Sequence, residues 1–148
     1  MPANSDPIYT KNGRIGSVLV TAANTSSAGG GTINTDIFLV LTADATNGSF
    51  ISRVRLIPVA TAATSTTATV ARIFLSTQSS GATTNANTFL WAEQTLPVVA
   101  ADNASAAVIW YDIPFGFVIP AGYNILVTNH AAPAANTNWR ALALGGDY

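Results

Sequence analysis

The run Phe50-Ile51-Ser52-Arg53-Val54-Arg55-Leu56-Ile57-Pro58-Val59 reads as a half-buried β-strand. Arg53, Arg55 and Ile57 share one face, and Val54, Leu56 and Pro58 share the other. A period of two places successive side chains on opposite sides of a sheet, so this stretch has one solvent side and one core side.

Working outward, the same signature recurs. In Ala68–Ser76, Val70, Arg72 and Phe74 oppose Ala71, Ile73 and Leu75, and in Thr88–Leu96, Phe89, Trp91 and Glu93 oppose Leu90 and Ala92. Further β-branched and aromatic runs lie at Ile15–Thr21, Asp36–Leu41, Ala107–Ile113, Tyr123–Asn129 and Asn138–Leu144. Surface helices draw on Glu, Lys, Gln and Arg, whereas this chain has one lysine, Lys11, and one glutamate, Glu93. The expected fold is all-β, an antiparallel β-sandwich of jelly-roll-like form with about eight strands. Asn47-Gly48 between two apolar runs predicts a hairpin turn, and Pro120-Ala121-Gly122 predicts a turn before Tyr123. Asn24–Gly31, with its three glycines, reads as a flexible loop; Thr61–Thr67 and Ser79–Asn87 read as linkers with nothing large to bury. Residues 1–14, polar and with two prolines, are expected to form an extended arm, and residues 15–148 a single domain.

Composition narrows the function. Of 148 residues 49% are hydrophobic, which excludes a disordered tail, and only 9% are charged. Six basic and seven acidic residues leave a net charge of -1, so nucleic acid and anionic membranes are not expected partners. Cysteine is absent, which removes disulfides and thiolate metal sites and suits assembly in the cytoplasm. The first residues carry no signal-peptide pattern, and the sequons at Asn24, Asn47 and Asn103 read as chance matches.

Catalytic material is sparse. His130 is the only histidine, and no Gly-x-Ser-x-Gly elbow aims a serine. The carboxylates Asp6, Asp36, Asp44, Glu93, Asp102, Asp112 and Asp147 are scattered, a poor basis for the paired acids of glycoside hydrolysis. Gly29-Gly30-Gly31 lacks the Gly-Lys-Ser/Thr ending of a phosphate loop, and no calcium-loop spacing occurs. Neither an enzyme, nor a cofactor, nor a metal is expected. Glu93 is expected to pair with an arginine on a neighbouring strand as a structural contact.

A surface poor in charge suits a subunit covered by partners in a symmetrical assembly. Aromatics at Trp110-Tyr111 and Phe115-Gly116-Phe117 suit core or subunit contact better than a sugar platform. An arm of this composition either gains order by lying across a neighbour or stays disordered in solution. The interface candidates are Ile8, Tyr9, Phe115, Phe117 and Tyr148.

Several short motifs then add a resemblance. They are Pro7-Ile8-Tyr9-Thr10, Val70-Ala71-Arg72-Ile73-Phe74-Leu75, Phe89-Leu90-Trp91-Ala92-Glu93 and Val118-Ile119-Pro120-Ala121-Gly122-Tyr123. Thr128-Asn129-His130 and the closing Ala143-Leu144-Gly145-Gly146-Asp147-Tyr148 complete the set. In these patches, spread over most of its length, the chain resembles small β-rich virion proteins of tailed bacteriophages, of the capsid decoration (cement) kind. The long Ala/Thr/Asn loops look expanded relative to that group. The resemblance implies a structural role on the outer capsid surface, a major capsid protein as partner, a homotrimer and no catalytic residues. A tail-fibre or receptor-binding module is the alternative, although such chains more often carry a shaft repeat.

Overall fold

The computed structural model describes residues 10–101 and 109–148. Its elements are β1 (Asn12–Val20), β2 (Gly31–Thr32), β3 (Phe38–Thr42), β4 (Ser49–Ala60), β5 (Thr64–Ser65) and β6 (Thr69–Ser76). They continue as β7 (Ala82–Thr83), β8 (Thr88–Leu96), β9 (Ala100–Ala101), β10 (Tyr111–Ile119), β11 (Asn124–Asn129) and β12 (Thr137–Asp147). Among the described residues there is no helix. The long strands form two four-stranded sheets, β1-β12-β4-β10 and β3-β11-β6-β8, and every strand pairing is antiparallel. The two sheets pack sandwich-like around a shared core. The all-β expectation therefore holds.

Among the described residues the strand count is twelve rather than eight. The additional strands have two residues each, β2 pairing with β7 and β5 with β9. β2, β5 and β7 lie in or beside the stretches read as loop and linkers, and β9 follows the strand expected at Thr88–Leu96. A two-residue ladder uses main-chain groups alone, so it leaves no side-chain periodicity to read.

Main-core packing follows the alternation of the deciding stretch. Val54 and Leu56 are fully buried, Arg53 is exposed, and Arg55 and Ile57 are partly exposed. From the neighbouring β12, Trp139, Ala141 and Ala143 point inward between the half-buried Arg140, Leu142 and Leu144. The opposing sheet supplies Ala71, Ile73 and Leu75 from β6 and Ile125 and Val127 from β11. Each large aliphatic side chain buried this way contributes about 1.5–3 kcal/mol.

On the second sheet the outer face is covered as well. Phe74 and Leu126 point away from the main core and meet Ile33 and Ile37. The segment bringing those isoleucines is pinned by main-chain and side-chain bonds. Asn24 N–H donates to the Asn129 carbonyl (2.8 Å), Asn24 Nδ2 to the Gly30 carbonyl (2.9 Å), and Arg72 Nη1 to the Thr25 carbonyl (3.3 Å). Asn24–Gly31 is a loop, as expected, and these bonds anchor it beside the sheet face that Ile33 and Ile37 cover. Asn24 Oδ1 also accepts from Ser26 N–H at 2.8 Å, so a buried asparagine organises the loop from within.

Other boundaries move for identifiable reasons. β1 starts at Asn12, so residues 12–14, read as the end of an arm, already pair with Gly145–Asp147. Residues 1–9, with Ile8 and Tyr9, lie outside the described residues. The strand expected at Ala107–Ile113 is placed at Tyr111–Ile119, running through Pro114 and Gly116. Proline is tolerated there because β10 is an edge strand, and Gly116 takes a positive φ of 69° at a bulge. Asn47-Gly48 is not a two-residue hairpin, since β3 and β4 belong to different sheets. The Asp44 carboxylate accepts from Thr46 and Asn47 N–H (3.0 and 2.9 Å), which holds its pKa below the ordinary aspartate value. Pro120-Ala121-Gly122 does turn as expected, with Gly122 at φ 84° and Tyr123 N–H donating to the Pro120 carbonyl.

Candidate functional site

A two-sheet fold has two flanks where edge strands of opposite sheets face each other. On one flank β1 lies directly against β3. A Cβ on Gly16 would stand 2.2 Å from the Val40 carbonyl oxygen, so only glycine permits this approach. Arg14 Nη2 adds a bond to the Thr42 carbonyl at 2.9 Å, and its Nη1 pairs with Asp147 at 2.6 Å.

On the other flank β8 and β10 are closed by side chains. Trp91 packs on Phe115 (centroids 5.3 Å) and on Phe117 (4.7 Å), and the two phenylalanines stack at 5.6 Å. Beside them Phe89 meets Tyr123 edge-on at 6.3 Å. Much of this aromatic surface remains in water: Phe89, Leu90 and Trp91 are 48%, 39% and 42% exposed, three consecutive large apolar residues on a free edge strand. Such a strand also presents unpaired main-chain donors and acceptors.

Two bulges aim this group. In β8, Ala92 pairs with Ile73 and Leu90 with Phe74, leaving Trp91 as the extra residue. The expected grouping of Phe89, Trp91 and Glu93 on one face is therefore corrected. Past the bulge Ala92 takes the inward side, and Glu93 turns to the opposite face. A one-residue slip flips every later side chain. In β10, Phe115 and Gly116 together oppose the single residue between Ile51 and Arg53, so Phe115 and Phe117 both lean toward Trp91.

Electrostatically the flank is bare. Neither Phe89–Ala92 nor Phe115–Ile119 contains a charged residue. Glu93 is engaged on the other face, accepting from Arg72 Nε at 2.6 Å as the sequence suggested. His130 sits beyond β11 with Nδ1 3.2 Å from Arg72 Nη1. On the outer face of the first sheet, Arg55 binds Asp112 through two bonds of 2.7 and 2.8 Å and lies over the Trp110 ring at 5.0 Å. The Arg55 contact draws the Asp112 pKa below its ordinary value. Among the described residues, no cluster of three or more His, Asp or Glu side chains could hold a metal ion. Among the described residues no helix is long and apolar enough to cross a membrane.

Of the residues expected at an interface, Phe115 and Phe117 come together, Phe115 nearly buried in the main core and Phe117 partly exposed. Tyr148 follows the end of β12, two strands in from β10, and stands apart from the aromatic group. The most accessible members, Phe89, Leu90 and Trp91, were not singled out from sequence, because regular alternation made half of them core. Three large apolar residues in a row on an otherwise alternating strand were the available signal. No known protein-family model matches the chain, and no curated protein matches it in sequence.

Proposed function

We propose that this is a structural virion protein, a decoration (cement) protein that stabilises an assembled phage shell by bridging neighbouring subunits of the major capsid protein. The observation that carries the reading is the uncharged flank of Phe89, Trp91 and Phe117 on two strands that are sheet edges among the described residues. A patch of this kind is poorly suited to permanent contact with water and well suited to burial against a protein surface. Strand order gives further support. Counting only the eight long strands in chain order, the sheets run 1-8-3-6 and 2-7-4-5, which supports reading the sandwich as jelly-roll-like. That architecture recurs in viral capsid and lectin domains.

Attachment buries the flank on the assembled shell and not on free shell protein. A ligand of the assembled state alone stabilises it by about 3 kcal/mol per site at a hundredfold excess over the dissociation constant. With no charge on the flank, release from the shell is expected to be insensitive to salt. The functional unit on this reading is a homotrimer on the outer capsid surface.

The test is depletion and reconstitution. Particles lacking the protein should rupture or lose DNA at lower temperature, re-addition should restore them, and a density map should place the protein on the shell. Equal robustness of depleted particles, or density at the tail tip, would overturn the reading and favour the fibre module.

A further inference from the structure

The two sheets treat their outer faces differently. The face beyond Phe74 and Leu126 is covered by the chain itself, whereas among the described residues no segment lies over the outer face of β1-β12-β4-β10. Register makes that bare face a grid. Ile15, Leu144 and Arg53 stand in one row, Ser17, Leu142 and Arg55 in the next, and Leu19, Arg140 and Ile57 in the third. Ile15 is 71% exposed. One side of the grid is therefore apolar, and its middle is cationic.

The cations outnumber their partners. Asp112 is the face's only carboxylate among the described residues, and it is occupied by Arg55. Arg53 shares it at 3.9 Å, and among the described residues Arg140 has no carboxylate within salt-bridge distance. Three arginines thus stand beside an apolar strip with one carboxylate among the described residues between them. A second copy meeting this face head-on would set arginine against arginine, which disfavours self-pairing.

We infer that the outer face of β1-β12-β4-β10 is a second docking surface, and that its partner is a folded protein surface with carboxylates at its middle and an apolar strip along one side. This inference rests on the shell-decoration reading and deepens it. β10 belongs both to the aromatic flank and to the grid, so one copy presents two adjoining faces along a common strand. Bridging two shell subunits requires two such faces. The flank supplies an uncharged contact, and the grid meets a carboxylate-bearing patch on the neighbouring subunit. Complementary charge at such a contact mainly raises the association rate, while apolar burial sets the release rate.

The experiment measures attachment of full-length protein to depleted particles by surface-immobilised kinetics, at low and high salt. The variants are the double charge reversal Arg53→Glu with Arg140→Glu, and separately Ile15→Ser, each checked for the wild-type far-UV spectrum. The charge reversal should slow association about tenfold at low salt and leave the rate near wild type at high salt. Ile15→Ser should speed release several-fold at either salt. Equal attachment rates for wild type and the charge reversal overturn the second face and leave the decoration reading standing. Failure of the wild type to attach overturns both. A wild-type oligomer that the charge reversal alone dissociates, seen by sedimentation equilibrium, overturns the inferred partner in favour of a second copy.

Discussion

The two flanks solve the same geometric problem with opposite materials. Where β1 meets β3, main chains approach so closely that Gly16 has no room for a Cβ beside Val40. Where β8 meets β10, the gap is filled by Trp91, Phe115 and Phe117, and the filling extends outward into solvent. A closure by main chain has nothing left to offer a partner. A closure by aromatics leaves apolar area exposed, and that area is where we propose that a partner binds. The difference separates what holds the fold from what the fold presents.

The largest effect should come from forcing the tight flank open. Gly16→Val places carbon against an unyielding carbonyl and is expected to cost about 4 kcal/mol, read by urea denaturation. A loss below 1 kcal/mol would show that β1 does not close on β3 as described. Next, Phe115→Ala removes the buried member of the open flank and should cost about 3 kcal/mol. Trp91→Ser, at a half-exposed position, should cost only about 1 kcal/mol, since much of its area is still in water. If the Trp91 and Phe115 costs came out equal, the open flank would be ordinary core.

The smallest effect is on acid stability. Asp112 and Asp44 both have pKa values drawn below the ordinary aspartate range, by Arg55 and by the Asn47 and Thr46 amides respectively. A depressed carboxylate contributes stability that is fully present above its unfolded value of about 3.9 and lost as pH falls through the folded value. Thermal melts should therefore stay flat from neutrality down to about pH 4 and decline below it, less steeply in Asp112→Asn.

Much of this was legible in the sequence, and the gaps have physical causes. Phe50–Val59 and Thr88–Leu96 stand out because β-branched and aromatic residues alternate or cluster there, and the structure places strands at both. The continuation of β10 through Pro114 and Gly116, and of β12 through Gly145 and Gly146, was hidden because these residues ordinarily end strands. A Cβ on Gly145 would lie 2.0 Å from the Phe50 carbonyl, so that glycine marks close approach rather than a stop. Which strands share a sheet depends on pairings far apart in sequence, such as Asn12 with Asp147, and no local pattern encodes them. For the site, Phe115 and Phe117 were readable as aromatics without a helix to occupy. The outward turn of Trp91 was not, because a bulge is decided by the partner strand.

The central claim is that the aromatic flank attaches this protein to an assembled shell. Its most direct test is the temperature at which depleted particles release DNA after reconstitution with wild type or with Trp91→Ser, both verified as folded. Wild type should raise the release temperature, and Trp91→Ser should leave it near that of depleted particles. Equal protection by both proteins would contradict it.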